Sequence, residues 1–392
     1  MHPFRRAKPL NRREFLRFVA TLGGGALTSG VLAACARAGI TPPTEIISSS
    51  TPGKKPPTDI AAPASSTPTQ KEESTEMTEE PTSTPTEKVT NLITQVAFVK
   101  TLDRAEGVRQ AIDLLGINPV DGKSVFLKPN YNSADPAPGS THTDVLRALV
   151  LRMQEIGAKE ITVGDRSGMG DTRQVMERLG VFQLAEELGF DTLVFDELPA
   201  EAWEMFQPEN SHWKLGFPFA RPCLEADTIV QACCLKTHRF GGHFTLSLKN
   251  SVGMAAKNNL QDRHDFMQEL HSSSYQRSMI AEINTAYDPG LVVMDGVEAF
   301  ISGGPDNGDR VSSQVVLAGT DRVAMDAVGV ALLRYHGCKT DVAKGKIFEQ
   351  EQIARAVALD IGIDSPGKIK LLTGDPESAA YAEQIKAILL QG

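Results

Sequence analysis

The chain has 392 residues, 41% of them hydrophobic, and a formal net charge of −9 at neutral pH. A length of this order leaves room for one folded core or two lobes. The acidic balance excludes nucleic acid as a main partner, because a negative surface repels the phosphate backbone.

Residues 1–35 read as an export signal. Arg5, Arg6, Lys8, Arg12, Arg13 and Arg17 supply its basic part, and Phe18–Ala34 its apolar part, broken by Gly23, Gly24 and Gly25. That run is shorter than the ~20 residues a membrane-spanning helix needs. Asn11-Arg12-Arg13-Glu14-Phe15-Leu16-Arg17 resembles the twin-arginine consensus, an address read by export machinery. Leu32-Ala33-Ala34-Cys35 resembles a lipobox. The expectation is a lipid on Cys35, anchoring the chain at the outer face of the bacterial cytoplasmic membrane; two or more acyl chains hold stably where one does not.

Residues 36–92 read as a disordered linker, rich in Pro, Thr and Ser and without aromatic residues. Such a segment cannot bury enough apolar area to offset its ordering entropy. Residues 93–392 read as the folded part.

In chain order, apolar periodicity predicts a strand over Gln95–Lys100, a helix over Arg104–Leu115 and a strand over Ser124–Lys128. A helix over Thr143–Ile156 and a strand over Glu160–Gly164 follow, then helical patterns to Leu188. Strands are expected at Asp191–Phe195 and Thr228–Leu235, a helix at Ser274–Ala286 and strands at Leu291–Met294 and Val315–Ala318. Asp321 is a good N-cap for a helix to Tyr335. A strand at Lys368–Leu372 and a helix at Glu377–Leu390 close the chain. Short apolar strands alternating with amphipathic helices indicate an α/β fold around a mostly parallel sheet, in one core or two lobes. The stretch 198–222, with Trp203 and Trp213, is the least regular, and its tryptophans read as core.

Beyond Cys35 there are four cysteines, Cys223, Cys233, Cys234 and Cys338, and no Cys-x-x-Cys pair. This argues against a ferredoxin-type iron–sulfur cluster and a zinc ribbon. Cys233 and Cys234 read as buried small residues, and a Cys223–Cys338 bridge stays open.

Four apolar strands run abruptly into polar residues: Lys128-Pro129-Asn130, Gly164-Asp165-Arg166-Ser167, Lys236-Thr237-His238 and Asp295-Gly296. Ligands of open α/β sheets bind outside the carboxyl ends of strands. If these strands are parallel neighbours, Lys128, Asn130, Asp165, Lys236, His238 and Asp295 share one rim. The densest stretch continues through Gly241-Gly242-His243 to Lys249-Asn250. Lys128, Lys236 and Lys249 there suit negative charge. His238 suits proton transfer or, with His243, metal ligation. Gly303 and Gly304 form a second glycine cluster, a ligand loop or a surface turn. Asp326 reads as an orienting group for a lysine or metal ligand, or as a salt-bridge partner. His264 and His271, beside Asp262, Asp265 and Glu269, read as a solvated helix face rather than a weak metal site.

Taken together, Leu127-Lys128-Pro129-Asn130, Thr143, Gly164-Asp165, Lys236-Thr237-His238, Leu248-Lys249-Asn250 with Gly253, Asp295-Gly296, Gly303-Gly304-Pro305 with Gly308, and Asp321 with Ala324 and Asp326 resemble the DUF362 family, a domain of unknown function, over residues 95–335. Some members carry ferredoxin-type cysteine motifs, which this chain lacks. More distantly, His238, Gly241-Gly242 and Lys249 are similar to the His…Gly-Gly…Lys arrangement of the nickel-pincer lactate racemase family. That resemblance implies Lys249 as the attachment point of a covalently bound cofactor and His238 as a general base or metal ligand. The Thr245-Leu246-Ser247-Leu248 stretch before the lysine departs from that pattern.

The expectation is therefore a small anionic molecule bound at the strand rim, with a metal or covalent cofactor left open. Three readings remain: an enzyme, a solute-binding lipoprotein serving a transporter, and an inactive interaction domain.

Overall fold

The computed structural model describes residues 93–258 and 264–391. The export signal, Cys35, the linker and Asp262 lie outside the described residues. No helix among the described residues is long and apolar enough to cross a membrane.

Eleven strands are described: β1 (Thr94–Lys100), β2 (Ser124–Lys128), β3 (Glu160–Asp165), β4 (Asp191–Val194), β5 (Trp203–Phe206), β6 (Phe217–Ala220), β7 (Thr228–His238), β8 (His243–Thr245), β9 (Pro289–Phe300), β10 (Arg310–Gly319) and β11 (Ile369–Leu372). The main sheet runs β11-β1-β10-β9-β7-β2-β3-β4, with β8 paired to β7. The strands from β9 through β7, β2 and β3 to β4 are all parallel. β10 is antiparallel to both β9 and β1, and β11 is parallel to β1. The sheet is therefore mostly parallel, as expected. β5 and β6 form a separate antiparallel hairpin in the stretch that looked irregular in sequence.

Local chemistry accounts for the helices. Asp103 accepts the Glu106 N–H and caps the helix Arg104–Leu115, and Gly116, at φ 62°, ends it. Its Val108, Ala111, Ile112 and Leu115 are buried at helical spacing. The helix Arg322–Tyr335 is capped by Asp321, as its sequence indicated, and is buried along nearly its whole length.

Alternation along the strands divides the core between the two faces of the sheet. Ala97, Val99, Leu291 and Val293 join the helices Arg104–Leu115 and Thr143–Glu155 in one cluster. Val96, Phe98, Val292 and Met294 face the helix Arg322–Tyr335 in a second cluster. A third cluster gathers Phe126, Phe195, Trp213, Phe217 and Phe219 with Phe266 and Ile280. The described residues from β1 onward belong to one compact unit, so the two-lobed alternative is set aside. Cys223 sits in the third cluster and Cys338 in the second. Both are buried free thiols, as are Cys233 and Cys234, which closes the question of a Cys223–Cys338 bridge.

β7 and β9 run further than their apolar cores suggested, through Lys236–His238 and Asp295–Phe300. Their polar residues stay in strand conformation because β8 pairs with the end of β7, and β10 with the end of β9.

Candidate functional site

A cavity of about 230 Å³ opens at the carboxyl ends of β2, β3 and β7. Lys128, Asn130, Asp165, Arg166, His238, Lys249, Asn250 and His271 line it, with Met169, Phe240 and Met267 among its apolar walls. Three parallel strand ends thus meet at one rim, at the place the sequence indicated.

At its floor, Lys128 Nζ lies 2.7 Å from Asp165 Oδ1, with both side chains almost fully buried. Asp165 also accepts the N–H groups of Tyr131 and Arg166, at 2.7 Å each. Burial pushes Lys128 below the usual lysine range and Asp165 above the usual carboxylate range, and their mutual attraction opposes both shifts. The pair holds itself in place rather than offering free charge. Asn250 Oδ1 adds a longer contact to Lys128 Nζ at 3.3 Å, which ties this floor to the next segment.

That segment is the short helix Ser247–Asn250, which carries Lys249. β7 and β8 form a hairpin with His238 opposite His243, so the chain doubles back and returns Lys249 to the neighbourhood of His238. A Cβ on Gly242 would lie 2.8 Å from Lys249 Cε and 3.0 Å from His238 Nδ1, so both side chains close over this bare Cα. The helix is fixed from below. Asp326 Oδ1 accepts the Ser247 N–H at 2.7 Å, and its carboxylate also takes the Leu248 N–H. Asn284 Nδ2 donates to the Leu248 carbonyl at 3.0 Å, and Arg322 in turn donates to Asn284 Oδ1. Asp326 is therefore the orienting group for a lysine, acting through the backbone that carries it.

Lys249 is 9% exposed and has no hydrogen-bond or ion-pair partner among the described residues. Burial, then the positive charges of Lys236 and Arg166, push its amine down to about 7. His238 is held well below the ordinary histidine value by burial and then by Lys249 and Lys236. Its ring is neutral at pH 7, and its buried Nδ1 has no partner. Arg166 donates to the carbonyls of Val252 and Ala255, at 2.7 Å each, yet its buried Nη1 also lacks a partner. Unsatisfied buried polar atoms are costly and rare. Four of the ten among the described residues, on Asn130, Arg166, His238 and Thr245, lie on this cavity.

Five residues expected at the site are elsewhere. Asp295 has the strand parity of Leu291 and Val293, so it lies on the face packed by the helix Arg104–Leu115, where Arg104 Nε binds it at 2.8 Å. Lys236 is fully buried and donates to the carbonyls of Gly139 and Pro305; its ammonium braces two loops and reaches Lys249 only as a charge. Gly303 lines a smaller second cavity, of about 220 Å³, with Thr237, Arg239, His243 and Asp341. Gly304, at φ 65°, faces the Thr237 carbonyl so closely that any side chain would collide with it. This glycine cluster is a turn packed on β7, with the Gly304 carbonyl accepting from Arg239. His243 lines the second cavity, its Nε2 3.7 Å from Asp341 Oδ2. His238 lines both cavities.

No group of three His, Cys, Asp or Glu side chains that could hold a metal ion occurs among the described residues. His238 and His243 are thus a pair without a third ligand among the described residues. A covalently held cofactor would find Lys249 as its amine.

Two cavity residues escaped the sequence reading. Arg166 follows Asp165 directly at a strand end and was legible as a rim residue. His271, read as part of a solvated face, is exposed and also lines the cavity, its Nδ1 donating to the Met267 carbonyl at 2.7 Å. Its helix face is solvated on one side only, which spacing does not reveal. His264 contacts Glu269 Oε2 at 2.6 Å and lies off the cavity lining.

A family model described as a domain of unknown function, DUF362, matches residues 125–331. A thylakoid-associated protein of Synechocystis sp. is 26% identical over 216 residues, covering 54% of this chain and 64% of that relative. The chain therefore spans less than two thirds of the length of this curated relative. Among solved structures, the lactate racemase apoprotein from Thermoanaerobacterium thermosaccharolyticum is similar at 14% identity and a TM-score of 0.36, over 77% of this chain and 88% of that one.

Proposed function

The chain belongs to the DUF362 family, and from that premise we propose that its folded domain binds a small anionic molecule in the cavity formed by β2, β3 and β7. The observation that carries this reading is the set of unmet polar groups on the lining: the buried Arg166 Nη1, His238 Nδ1, Asn130 Oδ1 and Thr245 Oγ1, beside Lys249 Nζ, which has no partner among the described residues. Arg166 and Lys249 are the cationic donors of this set, and buried cations without counter-ions are stabilised by an arriving anion. The surrounding chain is acidic overall, so this local positive lining stands out from its background. The modest cavity volume favours a molecule of a few heavy atoms, and the exposed rings and thioethers at the mouth, Phe240 and Met169, leave room for a short apolar substituent.

The second half of the proposal is location. A lipid on Cys35, added after export by the twin-arginine machinery, would tether the domain at the outer face of the bacterial cytoplasmic membrane. The sequence around Arg12-Arg13 and Leu32–Cys35 supports this. The name of the Synechocystis relative, which associates it with thylakoids, agrees with a membrane setting. Capture of a solute for a transporter uses the same cavity and is the alternative to catalysis.

Calorimetric titration of the folded protein with phosphate and a series of small carboxylates tests the reading. At least one should bind saturably, and Arg166→Met and Lys249→Met should each weaken it tenfold or more. A wild-type protein of native circular dichroism that binds none of them would overturn the proposal.

A further inference from the structure

We infer that Lys249 is a covalent nucleophile whose amine condenses with the carbonyl carbon of a small oxo acid bound in the cavity, giving an imine. The inference rests on the anion-binding reading and narrows it to carboxylates that carry an aldehyde or ketone.

The first support is the isolation of this amine. The other lysines at the cavity are paired: Lys128 with Asp165, and Lys257 with Asp196 at 2.8 Å. Lys236 is held by two carbonyls. Lys249 alone among the lysines lining the cavity has no partner in the described structure. A buried ammonium without a counter-ion is among the least favourable arrangements a fold can keep. A structural lysine gains nothing from it. A nucleophilic lysine does, because attack requires the neutral amine and a desolvated, cation-flanked site supplies it.

The second support is the group beside it. His238 Nδ1 and Lys249 Cε flank the same point over Gly242, and Nδ1 has no partner. The charged and titratable groups around the amine and its cavity are Lys236, Arg166, His238, His271, Asp265, the Lys128–Asp165 pair and Lys257, which is paired with Asp196. Two acids stand on the lining, Asp165, which is engaged by Lys128 and two backbone N–H groups, and Asp265, which accepts the Gln268 N–H; the other titratable lining groups are basic. Burial, then the charges of Lys236 and Arg166, keeps Lys249 near half neutral at pH 7, while His238 is neutral and able to take and return a proton.

The step balances without an outside oxidant or reductant. The Nζ lone pair forms a bond to the carbonyl carbon, and the carbonyl π pair moves to oxygen. That oxygen takes a proton, relayed from nitrogen through His238, to give a carbinolamine. The nitrogen lone pair then expels the hydroxyl, which takes the remaining nitrogen proton through His238 and leaves as water. Water carries away the carbonyl oxygen and both amine hydrogens. Arg166 is placed to hold the carboxylate.

The test is reductive trapping on the folded, full-length protein. Glyoxylate or pyruvate is added with cyanoborohydride near pH 7, and intact mass and peptide mapping follow. The expected result is one adduct per chain, on Lys249, forming faster as pH rises through about 7. It should be absent in both Lys249→Arg and Lys249→Met, and slowed at least tenfold in His238→Gln. Adducts scattered over surface lysines, or wild-type labelling no greater than in the Lys249 variants, would overturn the inference. Phosphate titration of the same preparation separates the two ideas. Phosphate binding without an adduct removes the imine and leaves the anion site; neither result removes both.

Discussion

At the scale of single residues, two buried lysines nine-tenths or more shielded from solvent should respond to removal in opposite directions. Lys128 neutralises Asp165. Lys128→Met leaves that carboxylate buried and unpaired, which costs about 3–5 kcal/mol. Lys249 neutralises nothing. Its amine titrates near 7 in the folded protein against ~10.4 in the unfolded chain. The unfolded chain therefore binds more protons between those values, and folding stability rises with pH across that window. Stability from this group is complete above the unfolded value and is lost as pH falls toward about 7. Lys249→Met should therefore melt at a higher temperature than wild type at pH 7 while losing ligand. Opposite shifts in thermal melts of the two variants check this. Anion affinity carries the converse sign: it should fall by up to about tenfold per pH unit above the midpoint, as the ammonium is lost. In Lys249→Met that dependence should flatten.

At the scale of elements, the lysine helix Ser247–Asn250 is a single turn and too short to hold itself. It is held by Asp326, from a helix about 80 residues away in sequence, whose carboxylate takes the Ser247 and Leu248 N–H groups. Asp326→Ala should cost about 1–3 kcal/mol per buried amide left unsatisfied. It should also cut anion affinity and Lys249 trapping together, whereas Asp326→Asn, which keeps one acceptor oxygen, should restore part of both. Denaturant melts and calorimetry on the same preparations distinguish loss of fold from loss of the site. Element boundaries show what sequence can carry. The helices Arg104–Leu115 and Arg322–Tyr335 were legible because Asp103, Gly116 and Asp321 mark their ends locally. The ends of β7 and β9 were not, because a strand continues while its neighbour pairs, and β8 and β10 decide that. The β5–β6 hairpin was also missed. It is short, and its Trp203 and Phe206 are only partly buried, so alternation is weak.

At the scale of the whole molecule, the proposed layout is a lipid, a linker and one α/β domain. Cys35→Ser should abolish incorporation of labelled palmitate and move the protein from the membrane to the soluble fraction of cells. Retention of label in that variant would remove the anchor from the proposal. The domain itself places the cavity at the edge where three parallel strands end, and the antiparallel β10 and the parallel β11 extend the sheet away from it. The sequence by itself determined the fold class and the central group of Lys128, Asp165, His238, Lys249 and Asn250, because strand ends and glycine turns are written locally. Only the tertiary structure decided that Asp295, Lys236, Gly303, Gly304 and His243 stand apart from that cavity, and that Arg166 and His271 join it. The reason is geometric: a one-residue step along a strand sends a side chain to the opposite face, and pairing between distant segments, which no local pattern encodes, determines which face meets the ligand.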